Sequence, residues 1–211
     1  MSENQVITPE QLEEYMQGLY AKSKVAQKKF EREFTTNRRV DEVLRAIGMK
    51  TCEYAEELCT DALNETKMGN VNDKMSKLKG IVFGQWAICK GQNTVDYEDT
   101  IIGNAMMALK GRNSVIFAPH PMSVRLSVKM VKLLREALES VGAPADLIQC
   151  ISEEYASREA TNLMMSTCDA CISTGGAGRV KAAYSSGKPA FGVGQGNVQE
   201  IVDLGISDAE L

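Results

Sequence analysis

The chain has 211 residues, 44% apolar, 25% charged and 6% aromatic, a balance that excludes a disordered chain and suffices for one sizeable core or two small ones. Twenty-eight acidic against 24 basic side chains leave a net charge of −4, which excludes a general attraction for nucleic acid. No apolar run approaches the roughly 20 residues that cross a bilayer, so no membrane partner is expected.

The start, Met1-Ser2-Glu3-Asn4, lacks the basic and apolar regions of a signal peptide, and six cysteines are too sparse for a disulfide scaffold. The expected location is the cytoplasm, with the thiols reduced. Thr8, Pro9 and Gln11 have the spacing of a capping box, and Leu12, Tyr15, Met16 and Leu19 follow as one helical stripe. Val40, Val43, Leu44 and Ile47 repeat the stripe, and Gly48 is read as its end. Cys52, Ala55, Leu58, Cys59 and Ala62 mark a further helix before Gly69. Residues 1–96 are therefore expected to form a helical segment.

From residue 114 short β-prone runs alternate with helical stretches. Val115 to Ala118 reads as a strand, and Val124, Val128, Val131, Leu134, Leu138 and Val141 share a helical face that Gly142 and Pro144 end. Leu147 to Ile151 is a second strand, followed by a helix through Leu163. Ala170 to Ser173 is a third strand, Ala177 to Ser186 a helix, and Ala190 to Val193 a fourth strand. This alternation predicts an α/β fold in which residues 97–211 form a Rossmann-like parallel sheet with helices on both faces.

Ligands of such sheets bind beyond the carboxyl ends of the strands. Three turns there stand out. Pro119-His120-Pro121 holds the single histidine, which reads either as a turn residue or as a group lining the site. Thr174-Gly175-Gly176-Ala177-Gly178 joins a strand to a helix, where bare amides and the helix dipole suit a diphosphate, but where glycines also serve a plain turn. Its spacing is not G-x-G-x-x-G, because Lys181 holds the place of the last glycine. Gly192, Gly194 and Gly196 alternate after the last strand, suiting a close ligand or a close crossing of main chains. Cys168 and Cys171 form a C-x-x-C pair, read as core packing because Cys171 falls in an expected buried strand and no second Cys/His pair completes a metal site. No metal site is expected.

The stretches Ala108 to Asn113, Pro119 to Pro121, Gly142 to Pro144 with Leu147 to Gln149, Thr174 to Gly178 and Val180 to Ala190 recur in one order. They continue into Gly192 to Gly194 and Gly196-Asn197. Together the segment Ala105 to Asn197 resembles the CoA-acylating branch of the aldehyde dehydrogenase superfamily. Met68 to Val71, with Asp73 and Lys74, is similar to the helical entry of the same family.

The resemblance implies an NAD-dependent oxidoreductase that turns an aldehyde and coenzyme A into acyl-CoA and NADH. It implies that Pro119, His120 and Pro121 lie near the adenosine of the cofactor, and Thr174, Gly175, Gly176 and Gly178 beside the ribose and diphosphate. Gly192, Gly194 and Gly196 would border the nicotinamide. The family's nucleophile lies in a Cys-Ala-Ser-Glu-like stretch beyond the last glycine turn, so the expectation is a nucleotide-binding half, inactive alone, with no catalytic residue among its six cysteines. The polar stretch Gly91 to Thr100 stands where the family has a hairpin and a strand, so the sheet is expected to be incomplete. The alternative is a non-catalytic nucleotide-binding or assembly protein that associates with itself or with a full-length relative.

Overall fold

The computed structural model describes residues 7–89 and 100–193. The chain divides into two compact units, Met1–Thr167 and Cys168–Leu211.

The first unit opens with α1 (Pro9–Glu33), whose start is the expected capping box: Gln11 N–H donates to Thr8 Oγ1 and Thr8 N–H to Gln11 Oε1. Its stripe carries Met16, Ala26 and Phe30 into the core. Helix α2 (Asn37–Glu53) runs through Gly48 instead of ending there. Gly48 continues the buried stripe, and a Cβ on it would lie 3.2 Å from Val82 Cγ1, so this glycine serves a close crossing of helices and is not a stop. The break comes at Tyr54, and Cys52 therefore belongs to α2, not to α3 (Ala55–Thr66). The crossing partner is α4 (Val71–Cys89), and α5 (Thr100–Lys110) packs with both α2 and α4.

After α5, Arg112 adopts φ 60° and donates from Nη2 to the Phe34 carbonyl at 2.7 Å, tying the turn to the end of α1. Strand β1 (Val115–Phe117) pairs in parallel with β2 (Ile148–Cys150), Val115 opposite Ile148. Between them runs α6 (Val124–Ser140), which Gly142 ends at φ +74°. Successive residues of β2 face opposite layers. Gln149 donates to the Leu19 carbonyl at 2.8 Å and to Ser23 Oγ at 2.7 Å in α1, while Ile148 joins Leu134 and Leu138 of α6 in the core. This pair is covered by helices on both faces, as the alternation predicts. Helix α7 (Arg158–Thr167) packs against α1.

The described part of the second unit, residues 168–193, is a single βαβ turn. Strand β3 (Cys171–Thr174) pairs in parallel with β4 (Ala190–Val193) around α8 (Ala177–Tyr184). Gly187, at φ +77°, follows the end of α8. The α8 face of this pair includes Gly192, where a Cβ would lie 2.5 Å from Val180 Cγ1. On the other face Ile172 and Phe191, paired across the strands, are 65% and 68% exposed. The expectation that Cys171 lies in a buried strand is thus corrected: the strand is exposed on the Ile172 face, and Cys171, on the α8 face beside Ala183, is half-buried. All described strand pairing is parallel, in two separate pairs.

Candidate functional site

Beyond β1, His120 caps the short 3-10 turn Pro121–Ser123, its Nδ1 accepting the Met122 N–H at 3.2 Å. The ring is committed to holding that turn. The start of α6 beyond it is also occupied. Glu65, at the end of α3, accepts Arg125 N–H at 2.9 Å and Leu126 N–H at 2.8 Å, so a carboxylate already takes the place an anionic ligand would use. Sequence reading missed Glu65, because no local signal joins it to a helix start sixty positions on.

In the second unit, Gly175 has φ +146°, a conformation that favours glycine, and its N–H donates to the Val193 carbonyl at 3.2 Å. That amide joins the strand ends and is not offered outward. Gly176 is the N-cap of α8 and makes no side-chain cap bond, so among the described residues no side chain caps the first amides of the helix. A Cβ at Gly178 would meet nothing within 4 Å, so packing does not require this glycine. Arg179 lies over the turn, its Cδ 3.5 Å from the place of a Gly175 Cβ, and it forms no ion pair among the described residues. Residues 168–193 hold three basic side chains, Arg179, Lys181 and Lys188, against the single acid Asp169, the reverse of the chain's overall balance. Such a turn suits an oxyanion.

Gly192 is different. Val180 and Tyr184 fill the space a side chain would take, and its N–H donates to the Tyr184 hydroxyl at 3.2 Å. Its bareness is explained by packing. Gly194 and Gly196 lie outside the described residues. Pro119, His120 and Pro121 fall in the first unit, and Thr174 to Gly178 with Gly192 in the second. Arg179 and Tyr184 were missed, although their helical spacing from Gly175 and Gly176 was available.

Five of the six thiols are held away from the thiolate form. Burial pushes Cys150 up to about 12, and burial, with Asp169 and Cys171 adding, raises Cys168 to about 11 against Lys188. Burial also raises Cys52, Cys59 and Cys89. A nucleophilic cysteine needs the opposite shift. No group of three metal-binding side chains occurs among the described residues. A shallow cavity of about 450 Å³ beside Val25, Pro144 and Asp146 and another of about 370 Å³ beside Arg39, Met49 and Val141 include none of the turns above.

No family model matches the chain. It is 40% identical over 215 aligned positions to a succinate-semialdehyde dehydrogenase (acetylating) of Clostridium kluyveri, covering 89% of this chain and 47% of that protein. The crystal structure of an acetylating aldehyde dehydrogenase from Geobacillus thermoglucosidasius matches with a TM-score of 0.81 at 32% identity, over 89% of this chain and 47% of that one. An engineered glycolyl-CoA reductase, solved with bound NADP+, matches with a TM-score of 0.75 at 25% identity, over 86% of this chain and 47% of that one. The chain thus spans about half the length of the relatives it matches. No described helix is long and apolar enough to cross a membrane.

Proposed function

The chain is a relative, over about half their length, of the CoA-acylating aldehyde dehydrogenases, and from that premise we propose that it supplies the nucleotide-binding part of such an enzyme. The reaction is the oxidation of an aldehyde, with coenzyme A and NAD, to acyl-CoA and NADH. The observation that carries the reading is the start of α8, a turn that among the described residues has no side-chain cap, no packing role for Gly178 and no carboxylate partner for Arg179. Thr174, Gly176 and Gly178 flank the cofactor diphosphate, Gly175 shapes the turn, and Arg179 neutralises one of its charges. Bound there, NAD supplies the hydride acceptor, and coenzyme A is the thiol that carries away the acyl group.

Residues 97–211 keep the reading as the Rossmann-like part and residues 1–96 as its helical entry, a division that the compact units do not follow, since these part between Thr167 and Cys168. Pro119, His120 and Pro121 belong to the first unit, where Glu65 leaves no anion site at the start of α6, so they carry no part of the diphosphate contact. Gly192, Gly194 and Gly196 stay assigned to the nicotinamide side, Gly192 through its backbone, because its α8 face is filled. The nucleophilic cysteine is assigned to the part of the relatives that the match does not cover. The raised thiols found here support that assignment, and six unpaired cysteines support a cytoplasmic location. A second reading, a non-catalytic nucleotide-binding or assembly protein, is favoured by the uncovered apolar face of the β3 and β4 pair.

The test is thermal. Nucleotide at a hundredfold its dissociation constant stabilises a folded protein by about 2.7 kcal/mol. Millimolar NAD or NADP is expected to raise the melting temperature of the purified chain, and Arg179→Glu to remove most of the rise. The chain alone is expected to form no NADH from aldehyde and coenzyme A. A midpoint unmoved by either nucleotide overturns the site, and NADH formation overturns the placement of the nucleophile elsewhere.

A further inference from the structure

The outer face of α1 has a charge unlike that of the rest of the chain. The whole sequence is acidic, at −4, yet residues 20–50 hold nine basic side chains against four acidic. Ala21, Lys22, Val25, Lys28 and Lys29 recur at helical spacing on α1, all exposed and with no acid among them. In α2 and α6 several cations meet acids. Arg38 and Arg39 pair with Glu42, Arg125 with Glu153 and Lys129 with Glu57. Lys22, Lys28 and Lys29 form no ion pair among the described residues.

This stripe borders a recess with an apolar floor. Lys22, Val25 and Lys29 on one side, and Pro144, Ala145 and Asp146 on the other, line the cavity of about 450 Å³. Its two walls are joined by a buried hydroxyl: Ser23 Oγ donates to the Asp146 carbonyl at 3.4 Å and accepts from Gln149 Nε2 at 2.7 Å. The one carboxylate in the lining, that of Asp146, is held at 2.9 Å by Arg135 Nη2 and makes no pair with either lysine. Val25, 70% exposed between the two lysines, is the most exposed large apolar side chain among the described residues.

We infer that this groove takes an acidic amphipathic helix of a partner protein. Lys22 and Lys29 stand two helical turns apart, about 10 Å along the axis, which matches carboxylates at positions i and i+7 of a second helix laid along α1. Apolar side chains between those carboxylates fill the recess over Val25, Pro144 and Ala145. An anionic lipid surface would use the same charges, but Val25 is the single large aliphatic group on the stripe, too little to anchor in acyl chains. A contact of this size is weak and sensitive to salt. Every residue in it belongs to the first unit, so it rests on no part of the nucleotide reading.

The probe is a fluorescein-labelled helical peptide of alanine, leucine and glutamate, its glutamates seven residues apart with leucines on the turn between them. Fluorescence anisotropy against the full chain should show saturable binding that weakens as salt rises. The double variant Lys22→Glu/Lys29→Glu should weaken it at least about tenfold, since two attractions become repulsions, and should bind instead the peptide carrying lysine for glutamate. Val25→Ser should weaken binding with the charge unchanged. All three positions are exposed, so the melting temperature should stay that of the wild type. A peptide of the same composition with its glutamates out of register that binds equally well overturns the inference, because charge alone would then suffice. So does a wild-type chain that leaves the peptide free, whether or not it binds phosphatidylglycerol vesicles through the same lysines.

Discussion

At the scale of single residues the thiols give the sharpest physical handle. Cys150 is half-buried and burial pushes its thiol up to about 12. In the unfolded chain it would titrate near the ordinary value of about 8.5. A group whose folded value is raised contributes stability that is complete below the unfolded value and is lost as pH rises toward the folded one. The chain should therefore lose stability from about pH 8.5 upward, until the thiol itself ionises near 12. Cys150→Ala should flatten the fall of melting temperature across that window, and equal slopes in the two proteins would refute the assignment. The C-x-x-C spacing was legible, but whether Cys168 is activated was not, because desolvation by the fold decides it.

At the scale of elements, two glycines of similar appearance in sequence separate cleanly. Gly192 lies where β4 meets α8, and an added Cβ would be 2.5 Å from Val180 Cγ1 and 3.0 Å from Tyr184 Cε2. Gly192→Ala should destabilise the second unit by about 1–3 kcal/mol through overpacking. Gly178 lies on α8 with nothing near its missing side chain, so Gly178→Ala should instead gain up to about 1 kcal/mol of helix stability. Hydrogen exchange of the α8 amides reads both, and changes of the same sign would contradict the packing argument. Gly48 teaches the same point in α2. Its place four residues after Leu44 on the apolar stripe was the available signal that it is buried, and the rule that glycine ends helices outweighed it.

At the scale of the whole molecule, the described units differ in what holds them. The largest buried side chains, among them Phe30, Phe34, Leu44, Leu134, Leu138 and Ile148, all belong to the first unit. In residues 168–193 only Ser173 and Ala183 are buried, and the Ser173 hydroxyl has no hydrogen-bond partner among the described residues. So little apolar burial offsets only a small part of the ordering entropy of a βαβ turn. Amides of β3, α8 and β4 should therefore exchange with solvent orders of magnitude faster than those of β1 and β2. Peptide-resolved hydrogen exchange checks this, and equal protection in the two units would show that the second is stabilised by contacts other than its own.

The sequence alone determined what neighbouring residues decide among themselves: the capping box at Thr8, the apolar face of α6, its end at Gly142, and the alternation that makes the strands parallel. It also held, in the ordered glycine and proline stretches, the likeness to the acylating dehydrogenases. Only the tertiary structure decided that Glu65 closes the start of α6 and that Tyr184 takes the amide of Gly192. Periodicity and capping act over one or two turns of chain and leave a mark in local composition. A carboxylate or a phenol finds its partner only after distant segments have been brought together, and no local pattern specifies that meeting.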